Sequence, residues 1–250
     1  MDDRLRNSIM GHALATEFCE SAGLFAFGVV SQADPGGGVI SYGGWMGEVP
    51  VGVDSKAPQV AYRKTGELVM AGAGLDGQLV MTPIEGNELS DKWMGGVALN
   101  GTIVAVSKWA QEHDRLLALA VLYHAQYGGL ELHHAGFRFL SEKSWQVANA
   151  GLEGGMIRPA EDHQRMYFTT GKGYYLEHQW FPGGPHDQAM HWDVVCDDPQ
   201  GLLRFVSSAY GKEPKFFEDC GSHDPIGVFW VTSGDGTKIG LMARPIWWDV

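Results

Sequence analysis

The chain has 250 residues, of which 44% are hydrophobic and 19% charged, a composition typical of globular rather than disordered or fibrous proteins. Its formal net charge of −12 argues against nucleic acid and an anionic membrane as partners, because both require basic protein surfaces. No run approaches the roughly 20 apolar residues that cross a bilayer. The acidic start at Met1 lacks an apolar signal core, and the three cysteines form no CxxC pair. We therefore expect a cytoplasmic homo-oligomer that acts on a small-molecule substrate.

The first half of the chain predicts three helices alternating with two hairpins. The run Asp34-Pro35-Gly36-Gly37-Gly38 is typical of a turn, and Asn100-Gly101 between two apolar runs is the strongest short hairpin signal. The predicted helices are 5–22, 56–69 and 111–127, and the strands of the first hairpin are 24–30 and 39–42. This order predicts an α/β sandwich on an antiparallel sheet, with a domain boundary at Gly128-Gly129.

The closing part of this half carries a family resemblance. The run GGVALNGTIVAVS at 95–107, followed by Asp114 and a final helix, resembles the closing motif of the GlcG/HbpS family, described as haem-degrading or PduO C-terminal domains. The helix around Tyr62-Arg63-Lys64-Thr65 departs from the alanine- and lysine-rich helix of that family. The resemblance implies a domain over 1–128 and makes tetrapyrrole binding an alternative function.

The second half contains an internal repeat. The segment FTTGKGYYLE at 168–177 matches VTSGDGTKIG at 231–240, at a shift of 63 residues, as strand, Gly-x-Gly turn and strand. Upstream, HAGFRFL from His134 matches HWDVVC from His191. Predicted helices at 141–150 and 199–210 follow these two segments. Each copy therefore predicts one strand, one helix and three further strands.

This paired βαβββ arrangement, with its strand-opening histidines and the segment YFTTGKGYYLE, resembles the vicinal oxygen chelate superfamily. That superfamily includes glyoxalase I, methylmalonyl-CoA epimerase, extradiol dioxygenases and fosfomycin-resistance proteins. The resemblance implies an α+β domain over 130–250 whose modules, 131–182 and 188–247, form a metal-binding cup. Members place ligands on the first and last strands of each module, which correspond here to His134, Glu177, His191 and Gly240. Gly240 has no side chain, so three metal ligands remain.

Alternation along the strands predicts that His134, Glu177 and His191 point into one cavity. All three could be ordinary sheet residues, but two histidines at equivalent repeat positions favour metal ligation. His133 is expected to point to the opposite face and to be structural. Arg138 is expected in the same cavity, where it could bind an anionic group or pair with Asp193.

Two imidazoles and one carboxylate leave coordination positions open, a pattern characteristic of non-haem iron(II) oxygenases. We expect a metal-dependent enzyme that binds a small oxygen-chelating substrate, with Fe²⁺ favoured over Zn²⁺, Mn²⁺ or Ni²⁺, and with a dioxygenase favoured. Tyr175 and Arg138 would position the substrate, and His186 could act as general acid or base. The alternatives are a lyase, isomerase or hydrolase acting through an enolate, or a non-catalytic binding protein.

Overall fold

The computed structural model describes residues 2–53, 55–72, 74–84, 93–150, 152, 155–159, 164–180, 189–217 and 226–245. The chain divides into two compact units, Met1–Gly129 and Leu130–Val250. The fold is α+β, as predicted, with one sheet in each unit and five helices within the described residues. None of the described helices is long and apolar enough to cross a bilayer.

The first unit contains the predicted helices and hairpins. Its elements are α1 (Asp3–Ser21), β1 (Ala26–Ala33), β2 (Val39–Met46), α2 (Ala57–Met70), β3 (Val80–Met81), β4 (Gly96–Leu99), β5 (Thr102–Ser107) and α3 (Gln111–Tyr127). The five strands form an antiparallel sheet in the order β2-β1-β5-β4-β3. Only β3 was not predicted, since two residues are too few to show a period. Asn100 and Gly101 join β4 to β5 with φ values of 48° and 80°, the left-handed backbone that these residue types tolerate.

A buried ion pair holds the closing motif of this unit in place. Nζ of Lys64 lies 3.7 Å from Oδ2 of Asp114 and donates a hydrogen bond of 2.5 Å to the Val106 carbonyl. Asp114 also accepts hydrogen bonds from the backbone N–H groups of Lys108 and Trp109. Burial lowers the pKa of Lys64 and raises that of Asp114, and the attraction between the two opposes both shifts. The pair neutralises its own charge, so the structure gives Asp114 a structural role.

The second unit is built from two copies of one βαβββ module. The first copy comprises β6 (Glu131–Phe139), α4 (Glu142–Asn149), β7 (Met156–Pro159), β8 (Gln164–Thr169) and β9 (Tyr175–Trp180). The second comprises β10 (Ala189–Cys196), α5 (Pro199–Ser208), β11 (Lys215–Phe217), β12 (Ile226–Thr232) and β13 (Lys238–Pro245). The element order predicted from the repeat is therefore confirmed.

The two modules share one eight-stranded sheet in the order β11-β12-β13-β10-β6-β9-β8-β7. The opening strands β6 and β10 pair antiparallel at its centre. Each opening strand also pairs in parallel with the closing strand of its own module, β9 or β13. Read outwards from the centre, each half therefore repeats the same strand order, which is the arrangement of a duplicated unit.

Both helices of this unit cover the same face of the sheet. In the first module the Trp145 indole on α4 donates a hydrogen bond to the His178 carbonyl, and the His178 ring bonds Asn149 at 2.7 Å. In the second module Leu203 of α5 packs directly on Gly227 of β12. Strand parity places His178 and Gly227 on one face, opposite the side chains of Glu177 and His191.

Candidate metal centre

The candidate centre lies on the face opposite α4 and α5, in a row of residues that crosses the central strands. Gly136 of β6 pairs with Glu177 of β9 on one side and with His191 of β10 on the other. His134 precedes Gly136 by two residues on β6 and therefore shares its face. Strand register alone brings these three side chains to one place.

The three side chains converge. Nε2 of His134 and Nε2 of His191 lie 3.2 Å and 3.4 Å from the same carboxylate oxygen, Oε2 of Glu177. The two imidazole rings meet edge to face with centroids 5.4 Å apart. One ligand atom from each residue lies within 4.8 Å of the other two. Glu177 is 1% exposed, His134 2% and His191 5%, so the cluster is shielded from bulk water.

The spacing of these atoms suits a single metal ion. Two ligands bonded to a zinc-like ion at about 2.1 Å, at a tetrahedral angle, are roughly 3.4 Å apart. The two imidazole-to-carboxylate distances, 3.2 and 3.4 Å, are close to that separation. Imidazole nitrogens and a carboxylate oxygen are also the ligand types preferred by iron, zinc, manganese and nickel. The described residues therefore fit a divalent transition metal.

Gly136 makes room for the His191 ring. A Cβ atom at position 136 would overlap Cε1 and Nε2 of that imidazole, and would lie 2.7 Å from Nδ1. A side chain on β6 at this point would push the His191 ring away from Glu177. Glycine at this position is therefore explained by the close approach of a functional side chain from the neighbouring strand.

Glu177 is held by groups besides the two histidines. The Tyr167 hydroxyl donates a hydrogen bond of 2.6 Å to Oε1, and Nε2 of Gln179 donates one of 2.7 Å to Oε2. Nε of Arg165 lies 3.6 Å from Oε1, although its side chain is 39% exposed. Because Oε2 also faces both imidazoles, the carboxylate is fixed in one orientation and cannot rotate without losing several contacts.

The electrostatics of the cluster keep this carboxylate ionised. Burial alone would raise the pKa of Glu177, but hydrogen bonds and positive charge from His134 and His191 bring it well below its usual range. Burial and the Glu177 charge raise the pKa of Tyr167, so that residue stays a protonated phenol able to donate its hydrogen. An ionised carboxylate with a neutral donor behind it is the form that binds a cation.

A second buried carboxylate lies beside the first. Asp193, fully buried on β10, has one oxygen 3.7 Å from Nε2 of His134. Its charge is matched by Arg244 of β13, whose Nε donates to Oδ1 at 2.8 Å and whose terminal nitrogen donates to Oδ2. The alternative prediction that Asp193 pairs with Arg138 is therefore wrong. Arg244 reaches the carboxylate from the adjacent parallel strand.

The expectation that His133 points to the opposite face is also wrong. The register between β6 and β10 shifts here, because His134 pairs with Asp193 whereas Leu132 pairs with Val194, leaving His133 as an extra residue. Such a bulge interrupts strict alternation. Nδ1 of His133 consequently lies 2.8 Å from Nδ1 of His134, on the side of the candidate centre. Burial, followed by the neighbouring His134, lowers the pKa of His133 to about 4, so its ring is neutral near pH 7.

The two ligand histidines are not equivalent in register, contrary to the alignment of the repeats. The hairpins β8–β9 and β12–β13 superimpose in register at the predicted shift, which makes Glu177 equivalent to Gly240. Glu177 pairs with Gly136, and Gly240 pairs with His191. The residue equivalent to His191 is therefore Gly136, two residues beyond His134. Both histidines still reach the centre because two residues preserve the face.

The position of the absent fourth ligand is occupied by an indole ring. Trp230 of β12 pairs with Gly240, and a Cβ atom on Gly240 would lie 2.8 to 3.0 Å from three of its ring carbons. The same ring stands edge to face with His191, with centroids 6.2 Å apart. The second module thus supplies an aromatic side chain where a fourth ligand would otherwise stand.

The three predicted substrate-facing residues have different outcomes. Tyr175 is 37% exposed and its ring lies 5.8 Å from that of His133, beside the centre. Arg138 is half-buried on β6 and pairs with Gln179, one step along the sheet from the Gly136 row. His186 lies outside the described residues. Roles for these residues in binding or catalysis stay predictions.

Sequence reasoning missed Tyr167 and Trp230. Tyr167 could have been found, because the Gly-x-Gly turn fixes the register of the β8–β9 hairpin and sets Tyr167 directly opposite Glu177. The equivalent reading of the second hairpin sets Trp230 opposite Gly240. The Arg244–Asp193 pair needs the parallel register of β10 and β13, which no local signal provides.

Comparisons with known proteins give low similarity. No protein-family model matches the chain, and no curated protein matches it. A hypothetical protein from Bacillus halodurans is 13% identical over 48% of this chain and 99% of its own, with a TM-score of 0.31. A glyoxalase/bleomycin resistance protein/dioxygenase superfamily member from Vibrio splendidus is 18% identical over 46% and 99%, with a TM-score of 0.30. Oxidase ChaP-H2 is 13% identical over 46% and 94%, with a TM-score of 0.16.

These three solved structures are at most 18% identical to this chain. Since all three TM-scores are below 0.5, the duplicated architecture rests on the strand order and register of this chain rather than on them. The comparisons give no support to the GlcG/HbpS resemblance of residues 1–128, which stays a prediction.

Proposed function

We propose that His134, Glu177 and His191 bind one divalent metal ion, and that the protein is a metal-dependent enzyme acting on a small substrate that chelates through two oxygens. The observation that carries this proposal is the convergence of three buried ligand atoms within 4.8 Å, contributed by three strands of both modules. A buried carboxylate facing two imidazoles is costly to a fold unless a cation or a proton compensates it.

Within this proposal we favour Fe²⁺ and a dioxygenase that cleaves or oxidises a catechol-type substrate. Two imidazoles and one carboxylate form the ligand set typical of non-haem iron(II) oxygenases. The glycine at position 240 supports this choice, because with only three protein ligands the ion keeps coordination positions for a bidentate substrate. When bound, such an ion would supply Lewis acidity to the substrate oxygens and, as iron, reactivity towards dioxygen.

The protein's own residues would hold the metal-binding carboxylate in place and orient the substrate. Tyr167 and Gln179 fix the Glu177 carboxylate, and the buried surroundings keep water from competing for the ligands. We propose that Tyr175 and Arg138 bind the substrate, as residues of the same face. His186 is proposed as general acid or base, a role for which a histidine is suited because its pKa lies near neutrality.

Metal content and oxygen consumption together test the proposal. We expect freshly purified protein to contain close to one equivalent of transition metal per chain by elemental analysis, and Fe²⁺-loaded protein to consume oxygen when catechol is added. Glu177→Ala should abolish both, while Glu131→Ala, an exposed carboxylate on the same sheet, should leave both unchanged.

Other outcomes identify the rival functions. Turnover of an oxygen-chelating substrate without oxygen, by protein loaded with Zn²⁺, Mn²⁺ or Ni²⁺, would contradict the proposed dioxygenase activity. It would favour a lyase, isomerase or hydrolase that works through an enolate. Protein that binds no metal, but carries a coloured or other small molecule, would contradict the enzyme altogether and leave a binding protein.

A further inference from the structure

The bulge in β6 brings together two histidines that are neighbours in sequence. In a regular strand His133 and His134 would point to opposite faces, and His133 would have no access to the candidate centre. The register shift opposite Asp193 and Val194 removes that restriction. Bulges of this kind are frequent next to active sites, where they re-aim side chains.

The contact between the two rings determines where their protons lie. Nδ1 of His133 is 2.8 Å from Nδ1 of His134, a distance at which one nitrogen must donate and the other accept. The opposite nitrogen of His134, Nε2, is the one that faces Glu177. For Nε2 to offer its lone pair to a cation, the proton of the neutral His134 ring must be on Nδ1. His133 must then be the acceptor.

We propose that His133 is a positioning residue that accepts the Nδ1 hydrogen of His134 and so fixes the ring orientation and tautomer in which Nε2 binds metal. This inference rests on the proposed metal site. A histidine that binds a metal through one ring nitrogen commonly donates the hydrogen of its other nitrogen to a nearby oxygen or water molecule. Here a second imidazole takes that place, and the bulge delivers it.

An alternative interpretation is that the residues around His133 form a second, separate metal site. His133, His134 and Asp193 also offer ligand atoms within 4.8 Å of one another. Asp193, however, already accepts two hydrogen bonds from Arg244, which engages both its oxygens and matches its charge. We therefore assign His133 to the support of His134, and a second bound ion becomes a measurable outcome.

Two variants of almost the same shape separate the hydrogen bond from packing. The Asn side chain carries Oδ1 at the branch point where histidine carries Nδ1, so His133→Asn retains an acceptor. His133→Leu has a similar shape but no acceptor. The probe is Co²⁺, whose affinity is measured by competition with a chromophoric chelator. We expect His133→Leu to bind Co²⁺ about 10- to 100-fold more weakly than wild type, and His133→Asn to stay within about threefold.

Proton NMR of the Co²⁺-loaded protein provides a readout that packing does not change. The Nδ1–H of a bound histidine gives a paramagnetically shifted signal that disappears when it exchanges with water. We expect two such signals in wild type and His133→Asn, with that of His134 lost in His133→Leu. Should His133→Leu not fold, slow exchange of the His134 signal in wild type, compared with that of His191, still tests the bond.

The outcomes distinguish this inference from the metal site itself. Wild-type protein that binds no Co²⁺ overturns the proposed function. If wild type binds one Co²⁺ but both variants weaken it equally, or neither does, His133 has no role as an acceptor. Two equivalents of Co²⁺ per chain would instead show His133 to be a ligand and overturn the positioning role.

Discussion

The two βαβββ modules build matching halves of one sheet, yet in the row of paired residues through the candidate centre they place the ligand on different strands. In the row through the candidate centre, the first module has Gly136 on its opening strand and Glu177 on its closing strand. The second module has His191 on its opening strand and Gly240 on its closing strand. Within this row each module thus contributes one ligand and one glycine, in exchanged positions, and His134 of the first module lies two residues from Gly136.

The alternation of ligands and glycines shows what is required of paired residues on neighbouring strands. Adjacent strands lie about 4.8 Å apart, so two large side chains cannot both lean towards the same point from neighbouring positions. Gly136 provides the space into which the His191 ring leans, and Gly240 provides the space for Trp230. Duplication supplies the scaffold, whereas the two glycines decide which side chains meet.

Placing a side chain at Gly136 should have the largest effect on metal affinity. In Gly136→Ala the new methyl group would displace the His191 ring, so one of three ligands would be lost. We expect metal affinity to fall by more than about 100-fold, the upper end of losses seen when only an outer partner of a ligand is removed. Competition with a chromophoric chelator measures this.

The matched control is Gly234→Ala, a change of the same kind in the β12–β13 hairpin. An added Cβ there meets no other atom within 4 Å. It should bind metal like wild type. Undiminished affinity in Gly136→Ala, with an unchanged circular dichroism spectrum, would show that His191 is not a ligand.

Introducing a carboxylate at position 240 should change metal affinity by a smaller factor, and should raise it rather than lower it. Gly240→Glu would give the second module the residue that the first has at the equivalent position. Its side chain would collide with Trp230, however, so the single variant should gain nothing. In Gly240→Glu combined with Trp230→Ala the carboxylate has space, and we expect metal affinity to rise about tenfold, or about 1.4 kcal/mol.

The Co²⁺ absorption spectrum checks the coordination change, since it responds to the number of ligands. Trp230→Ala alone is the control and should leave the spectrum as in wild type. A gain in affinity in Gly240→Glu without the second substitution would contradict the view that the indole occupies the fourth position. A double variant with wild-type affinity would show that this position does not face the ion.

Much of this arrangement could be predicted from local patterns. The shift of 63 residues between the two Gly-x-Gly segments aligned the two hairpins correctly, and period-2 alternation placed Glu177 and His191 on the same face. Alternation failed only at His133, where a bulge inserts one residue. A bulge depends on the fit between two distant strands, and no feature of the segment Leu132–Ala135 encodes it.

The alignment of the two histidines failed for a related reason. Sequence comparison matched His134 to His191 because the residues are identical, whereas register matches Gly136 to His191. Register between opening and closing strands depends on the length of the connection within each module, and the connections differ. The pairing of Asp193 with Arg244 likewise required knowing which parallel strands are neighbours.

Substitution of Tyr167 should have the smallest effect on metal affinity, and it tests a difference between the two hairpins. Tyr167 stands opposite Glu177, as Trp230 stands opposite Gly240, but it supports a ligand instead of replacing one. Tyr167→Phe removes one hydrogen bond of 2.6 Å to Oε1 and leaves Gln179 bonded to Oε2. Since one hydrogen bond contributes about 1 kcal/mol net, we expect metal affinity to fall roughly fivefold.

The size of the loss in metal affinity shows whether Tyr167 only orients Glu177 or binds the metal itself. Tyr210→Phe, a change of the same kind two residues after α5 ends, serves as control and should leave metal affinity unchanged. A loss above 100-fold in Tyr167→Phe would make the phenol itself a ligand, and the first module would then contribute three ligands, with His134 and Glu177. No loss at all would mean that the two imidazoles and Gln179 suffice to orient Glu177, so that the hairpin partner of each closing strand serves only to fill space.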